Sequence, residues 1–142
     1  MSNNLTVTAD LINDKVKFSG VSRDNDEIMI DYVSPIGDDS GYTPLEIFLL
    51  SLASCSGMTI SILLRKMHKE VTGLKVIASG DRRDTNPTYF KSILLSFELK
   101  SKDVQPNDME KVIKLSEESM CPVWNMVKNN VDISCEYKIT CQ

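Results

Sequence analysis

Residues 43–69, TPLEIFLLSLASCSGMTISILLRKMHK, read as one long helix with a cysteine near its middle, and the rest of the chain is organised around it. Its start is well marked. Thr43 can cap the first turn with its hydroxyl, Pro44 suits the first helical position, and Glu46 stands three after the cap, as in a capping box. No charged residue occurs from Ile47 to Leu64, so the helix is apolar nearly all round and is expected to be buried on most sides. At about 1.5 Å per residue it would run roughly 40 Å, more than a domain of this size needs within itself. The surplus length points to a partner subunit. An uncharged run of this length also approaches the lower limit for a membrane span. Ser51, Ser54, Ser56, Thr59 and Ser61 interrupt it, however, and no second span accompanies it. The small residues Ser51 and Ala53 to Gly57 fit a close helix-helix crossing at Cys55 instead, and no membrane partner is expected.

Outward from this helix, the totals bound the fold class. A chain of 142 residues can bury a core as one domain, so 1–142 is read as a single domain. Its 25% charged and 42% hydrophobic residues are ordinary for a globular protein. A net charge of −4 gives no electrostatic case for a nucleic acid or an anionic membrane surface. The first ten residues, MSNNLTVTAD, show no basic segment followed by an apolar one, so a cytoplasmic location is expected. In such a compartment Cys55, Cys121, Cys135 and Cys141 are read as thiols. Their spacings match no C-x-x-C or zinc ligand set.

Before the helix, Leu5, Val7 and Ala9 alternate with threonines, and Val16 and Phe18 alternate with lysines, with Asn13-Asp14 between: a hairpin signal. Ile28, Ile30 and Tyr32 form a third strand, and the breaker-rich loop 34–42 leads into the helix. After it, Leu74, Val76 and Ala78 alternate as a short strand. Residues 80–87 read as a turn, and 89–99 as the longest strand, apolar on both faces in its middle. Pro106-Asn107-Asp108 opens an amphipathic helix, Cys121-Pro122 a short one through Val127, and 131–141 alternate as the last strand. The order is βββ-α-ββ-αα-β, an α+β domain with a long central helix in which neighbouring strands are expected to pair antiparallel.

The chain has no Gly-rich phosphate loop. Its one histidine, His68, rules out a metal site of several imidazoles and is read as an exposed residue of the helix's last turn, favoured there by the dipole. The thiols remain. Pro122 places Cys121 at a helix N-cap, where free N–H groups would lower its pKa; a small buried residue in a helix joint is the equal alternative. Cys55, mid-helix among apolar and small residues, reads on local grounds as an inert hydrophobe. Cys135 and Cys141 share an apolar strand face and are read as core packing.

The segment 43–64, with TP at its start and LLSLASCSGM at its centre, resembles the first-cysteine helix of the OsmC/Ohr family. MCPVWNMVKNNVDI resembles the family's second-cysteine motif, a Cys-Pro followed by an Asn and a Val/Ile strand. The resemblance implies an OsmC-like fold and an intertwined homodimer with the long helices at its centre and the sites at the interface. It also implies thiol-dependent reduction of organic hydroperoxides, with Cys55 attacking, Cys121 resolving through a Cys55-Cys121 disulfide, no bound cofactor, and an external dithiol as reductant. Leu49, Leu52, Met58, Ile62 and Trp124 could shape an apolar pocket for the substrate. Two features depart from the family pattern. Its glutamate directly follows the proline, where this chain has Leu45 and carries Glu46 one later; before the helix the only arginine is Arg23. These departures place the chain nearer the OsmC-like branch than the founding peroxidases. They keep two alternatives open: a binding protein for a small apolar or electrophilic ligand, and a redox-sensing dimer.

Overall fold

A computed structural model describes residues 3–141, and the chain divides into two compact units at Phe48/Leu49. In the first unit, β1 (Thr8–Leu11), β2 (Phe18–Val21) and β3 (Ile28–Ile30) form an antiparallel meander, with Leu11 opposite Phe18 and Phe18 opposite Ile30. The hairpin falls where the sequence places it, but β1 starts three residues later than Leu5. The Asn13 side chain decides this: its Oδ1 accepts the Lys15 and Lys17 N–H groups at 3.0 and 3.1 Å, and the Ile12 N–H bonds the Lys17 carbonyl at 2.9 Å. Pairing therefore closes at Leu11-Phe18 and runs back from there.

After β3 the chain coils around one buried carboxylate. Asp31 is 2% exposed and accepts hydrogen bonds from the Tyr32, Asp38 and Ser40 N–H groups and from the Ser40 hydroxyl. The turn is so tight that a Cβ on Gly37 would lie 2.2 Å from the Tyr32 carbonyl oxygen and 2.5 Å from Asp31 Oδ1, so only glycine fits there. The helix α1 then begins at Pro44 as expected. The capping box is reciprocal: the Thr43 N–H donates to Glu46 Oε1 at 2.8 Å, and the Glu46 N–H to Thr43 Oγ1 at 3.3 Å.

α1 runs to Lys66 and stops three residues before the end of the predicted segment. His68 ends it rather than sitting in its last turn. With φ of 61°, it occupies the left-handed position after the C-cap, while the His68 N–H bonds the Arg65 carbonyl and the Lys69 N–H the Leu64 carbonyl, both at 3.0 Å. That pair of bonds is a Schellman closure, which satisfies carbonyls the helix would otherwise leave free. α1 is long and apolar enough to cross a membrane, yet a third of its most apolar stretch is buried within the fold, Leu52, Ile60 and Leu64 completely.

In the second unit, β4 (Gly73–Arg82) and β5 (Phe90–Lys100) pair antiparallel, and β6 (Asp132–Thr140) joins the other side of β5. β6 runs parallel to β5, unlike the expectation from sequence. The physical reason is the connection: α2 (Pro106–Leu115), a π-helical turn (Ser116–Met120) and α3 (Pro122–Val127) form a long crossover that brings the chain back in its original direction. The fold is α+β with two three-stranded sheets and a long helix. β4 is longer than its apolar alternation, continuing to Arg82 because Phe90 covers Gly80, where a Cβ would meet the ring at 2.4 Å.

One face of the β4-β5-β6 sheet is the core. Phe90, Ile93, Leu95, Phe97 and Leu99 of β5 are buried, and Ser92, Leu94, Ser96 and Glu98 between them are partly covered on the other face. α1 closes on that face through Gly57, whose missing side chain leaves room for Val76 of β4, 3.0 Å from where a Cβ would stand. Trp124 of α3 stacks on Phe97 of β5, ring centroids 6.5 Å apart, and Tyr137 of β6 donates to Glu110 of α2 at 2.7 Å. α1 and the α2-α3 crossover thus lie on the same face of one sheet.

Candidate functional site

That shared face brings two distant thiols together. Cys55, in the middle of α1, is half-buried; Cys121, at the N-cap of α3, is fully buried. The two sulfurs are close enough for each to act on the other, and all four cysteines are free thiols. The Thr59 hydroxyl, one helical turn beyond Cys55, donates to the Cys55 carbonyl at 2.9 Å and also acts on the Cys121 sulfur.

The sequence predicts a lowered pKa for Cys121, and the structure reverses that expectation. Burial pushes the Cys121 thiol up and is the largest influence; the neighbouring Cys55 sulfur pushes the same way. The Trp124 N–H in the first turn of α3 and the Thr59 hydroxyl pull it down, but they do not prevail, and no full N-cap hydrogen bond forms to the sulfur. Position at a helix N-terminus was legible in Cys121-Pro122; that this position is fully buried was not. Cys121, the thiol out of solvent reach, therefore holds its proton more firmly than an ordinary cysteine.

The backbone around Cys121 is fastened from α3. Asn125 Nδ2 donates to the Cys121 carbonyl at 2.7 Å and the Ser116 carbonyl at 3.3 Å, and the Cys121 N–H itself bonds Ser116 O at 3.0 Å. Lys128 Nζ holds the Glu117 and Glu118 carbonyls at 2.9 and 3.4 Å. Asn125 thus adds a second donor to carbonyls that already accept a backbone N–H, and with Lys128 it fixes the approach to the N-cap. Sequence reasoning passed over Thr59 and Lys128. A threonine four residues after a cysteine on a helix was the available signal for the first.

Other candidates fall elsewhere. Leu52 and Trp124 lie buried, whereas Met58 and Ile62 are 66% and 54% exposed along a separate groove of about 560 Å³ that is floored by Leu74 and Val76 and ends at Arg65. The single pocket expected from Leu49, Leu52, Met58, Ile62 and Trp124 is thus split over different sides of α1. Cys135 and Cys141 are exposed, not core, because β6 is an edge strand. Glu46 has its carboxylate engaged at the helix cap, and Arg23 is an exposed residue in the turn after β2 with φ of 57°. Among the described residues no group of three or more His, Cys, Asp or Glu is placed to hold a metal ion.

The model of the OsmC-like protein family matches residues 37–136, which include both thiols and every element from α1 to most of β6. The chain belongs to the OsmC-like family. Among OsmC-like relatives, Protein YhfA of Escherichia coli strain K12 is 27% identical over 122 residues, covering 86% of this chain and 89% of that one. A hypothetical protein of Aquifex aeolicus VF5 superposes with a TM-score of 0.86 at 26% identity, over 99% of each chain. The organic hydroperoxide resistance protein OhrB of Bacillus subtilis, at 20% identity, shares the OsmC-like fold with a TM-score of 0.64 over 95% of this chain and 98% of its own.

Proposed function

We propose that the protein is a thiol peroxidase for organic hydroperoxides, with Cys55 as the attacking and Cys121 as the resolving cysteine. The observation that carries this reading is the asymmetry of the pair: a half-exposed thiol on α1 beside a fully buried one whose pKa is pushed up. Solvent-borne peroxide can reach only the first. The Cys55 thiolate attacks the distal peroxide oxygen, an S–O bond forms as the O–O bond breaks, and the departing alkoxide takes a proton to leave as alcohol. Cys121 then attacks the oxidised sulfur, the S–S bond replaces the S–O bond, and the oxygen leaves as water. An external dithiol reduces the disulfide by exchange. Membership of the OsmC-like family and the fold shared with OhrB support the hydroperoxide as oxidant. Neither step calls for a bound cofactor or metal.

Incubating the reduced protein with cumene hydroperoxide and dithiothreitol tests this directly. Wild type should consume peroxide, Cys55→Ser should consume none above background, and Cys121→Ser should turn over poorly and accumulate overoxidised Cys55. Peroxide loss by wild type no faster than by Cys55→Ser rules the enzyme reading out.

The exposed apolar surface supports a homodimer as the working form. Asp31 and Gly37 are the only buried residues among those described from 3 to 48, and Leu5, Val7, Leu11, Ile28, Val33 and Ile36 all stand 46% exposed or more. A three-stranded sheet with no dry face is not stable by itself. Leu50, Met58 and Ile62 of α1 are similarly bare. A second reading, a ligand-binding member of the same fold, is favoured by one observation: Glu46 is fastened to the helix cap, and Leu45 stands where the family's glutamate would be. The peroxide assay separates the two.

A further inference from the structure

We propose that the outer face of the β4-β5-β6 sheet carries a binding site for a small phosphate monoester, held by Lys75, Lys100 and Lys138 around Glu98. The site lies on the side of the sheet away from α1 and the α2-α3 crossover, so it is separate from Cys55 and Cys121 and does not rest on the peroxide reading.

Strand register brings the charges together. Lys75 of β4 stands opposite Glu98 of β5, and Glu98 opposite Lys138 of β6, so the three form one row across the sheet. Side chains alternate between the faces of a strand, and the neighbours of this row point to the core. Val76 meets α1 at Gly57, Phe97 and Leu99 are buried, and Tyr137 reaches Glu110 of α2. The row therefore faces outward. Lys100 follows in the next outward row, opposite Gly73 and Thr140. Gly73 has no side chain, and the Lys100 stem lies over it, its Cδ 3.2 Å from where a Gly73 Cβ would stand. With strands about 4.8 Å apart and rows about 7 Å apart, the three lysines start within about 10 Å of one another, close enough for their long side chains to converge.

These residues line a depression of about 480 Å³, a volume usual for a small-ligand site. Opposite charges facing each other on neighbouring strands ordinarily pair. Here, among the described residues, Lys75, Lys100, Lys138 and Glu98 form no ion pair, whereas Lys15, Lys69, Lys91 and Lys102 each have a carboxylate partner. Glu98 can offset only one of the three positive charges, so two are left over, on a chain whose net charge is −4. A doubly negative ligand restores the balance. A phosphate monoester carries that charge on three oxygens, one for each ammonium, and lysine binds phosphate as a mobile point charge. A single carboxylate would leave one ammonium without a counter-charge. The phosphate group fills only part of the depression, and the remainder has room for the molecule esterified to it.

The test is a nuclear magnetic resonance titration of the full-length, isotope-labelled protein with glycerol 3-phosphate, at an ionic strength held constant with sodium chloride. Backbone amides of residues 73–75, 98–100 and 138–140 should shift and saturate. Lys138→Gln should weaken binding about threefold, and Glu98→Gln, which removes only the negative charge, should tighten it by a similar factor. Lys91→Gln makes the same change in net charge at the other end of β5 and should leave the affinity as it was. Succinate, with its two charges at opposite ends, should bind more weakly than the phosphate monoester. The inference is overturned by shifts that never saturate or that sodium chloride alone reproduces, by Lys138→Gln binding like wild type, or by Glu98→Gln binding more weakly. Tighter binding of succinate would overturn the phosphate class.

Discussion

At the scale of single residues, two buried acids show how environment sets protonation in opposite directions. Burial alone would raise the pKa of Asp31, but donors from Tyr32, Asp38 and Ser40 outweigh it and bring the carboxyl from its ordinary 3.8 to about 2. Cys121 has burial without enough donors, and goes up. The first effect has a consequence for stability. A carboxyl whose folded pKa is depressed contributes stability that is fully present above its unfolded value, near 4, and is lost as pH falls through its folded value, about 2. The stability of wild type, followed by denaturation between pH 5 and pH 2, should therefore fall steadily below about pH 4. Asp31→Asn should be less stable at neutral pH and show a flatter dependence in that window. A wild-type slope retained in Asp31→Asn would place the acid sensitivity elsewhere. The Asp31 loop itself could be read only as breakers; its buried centre depends on where four donors converge.

At the scale of elements, the ends of α1 are set by different kinds of chemistry. Its N-terminus rests on local hydrogen bonds between Thr43 and Glu46, three residues apart, and so was legible from order alone. Its C-terminus rests on a left-handed residue, and the chain has histidine there instead of the glycine that usually announces the stop. That is why the helix was read three residues too long. A non-glycine residue at that φ costs about 1–2 kcal/mol, so His68→Gly should stabilise the protein by up to about 1 kcal/mol after the greater unfolded-state freedom of glycine is set against it. A rise in the urea midpoint with unchanged slope would register it. A fall would mean that the His68 side chain has a role of its own. The parallel course of β6 is likewise an element-scale result: alternation at 131–141 says strand, but the direction is decided by the crossover through α2 and α3.

At the scale of the whole molecule, the second unit has a dry core from Leu52 to Val127, while the described residues of the first bury no apolar side chain. Exposed apolar area of that extent marks an interaction surface. The homodimer reading predicts a solution mass of twice the chain by light scattering. Ile62→Lys, which puts a charge on the bare side of α1, should shift that mass toward the monomer and lower the thermal midpoint, because the first unit then lacks cover. A monomeric wild type would contradict the dimer, and a fully dimeric Ile62→Lys would move the interface off that side of α1.

What the sequence by itself determined is whatever depends on neighbours within a few positions: the capped start of α1, the run of strands and helices, Cys121 at an N-cap, and the motifs that resemble the OsmC/Ohr family. The apolar character of α1 was equally plain, but not which side of it meets β4, because that turns on Gly57 facing Val76. Tertiary structure decided the rest. Only packing of α1 and α3 on one sheet face sets Cys55 against Cys121, and only the depth of that packing, which is a property of many residues at once, turns an N-cap cysteine expected to ionise easily into one that holds its proton.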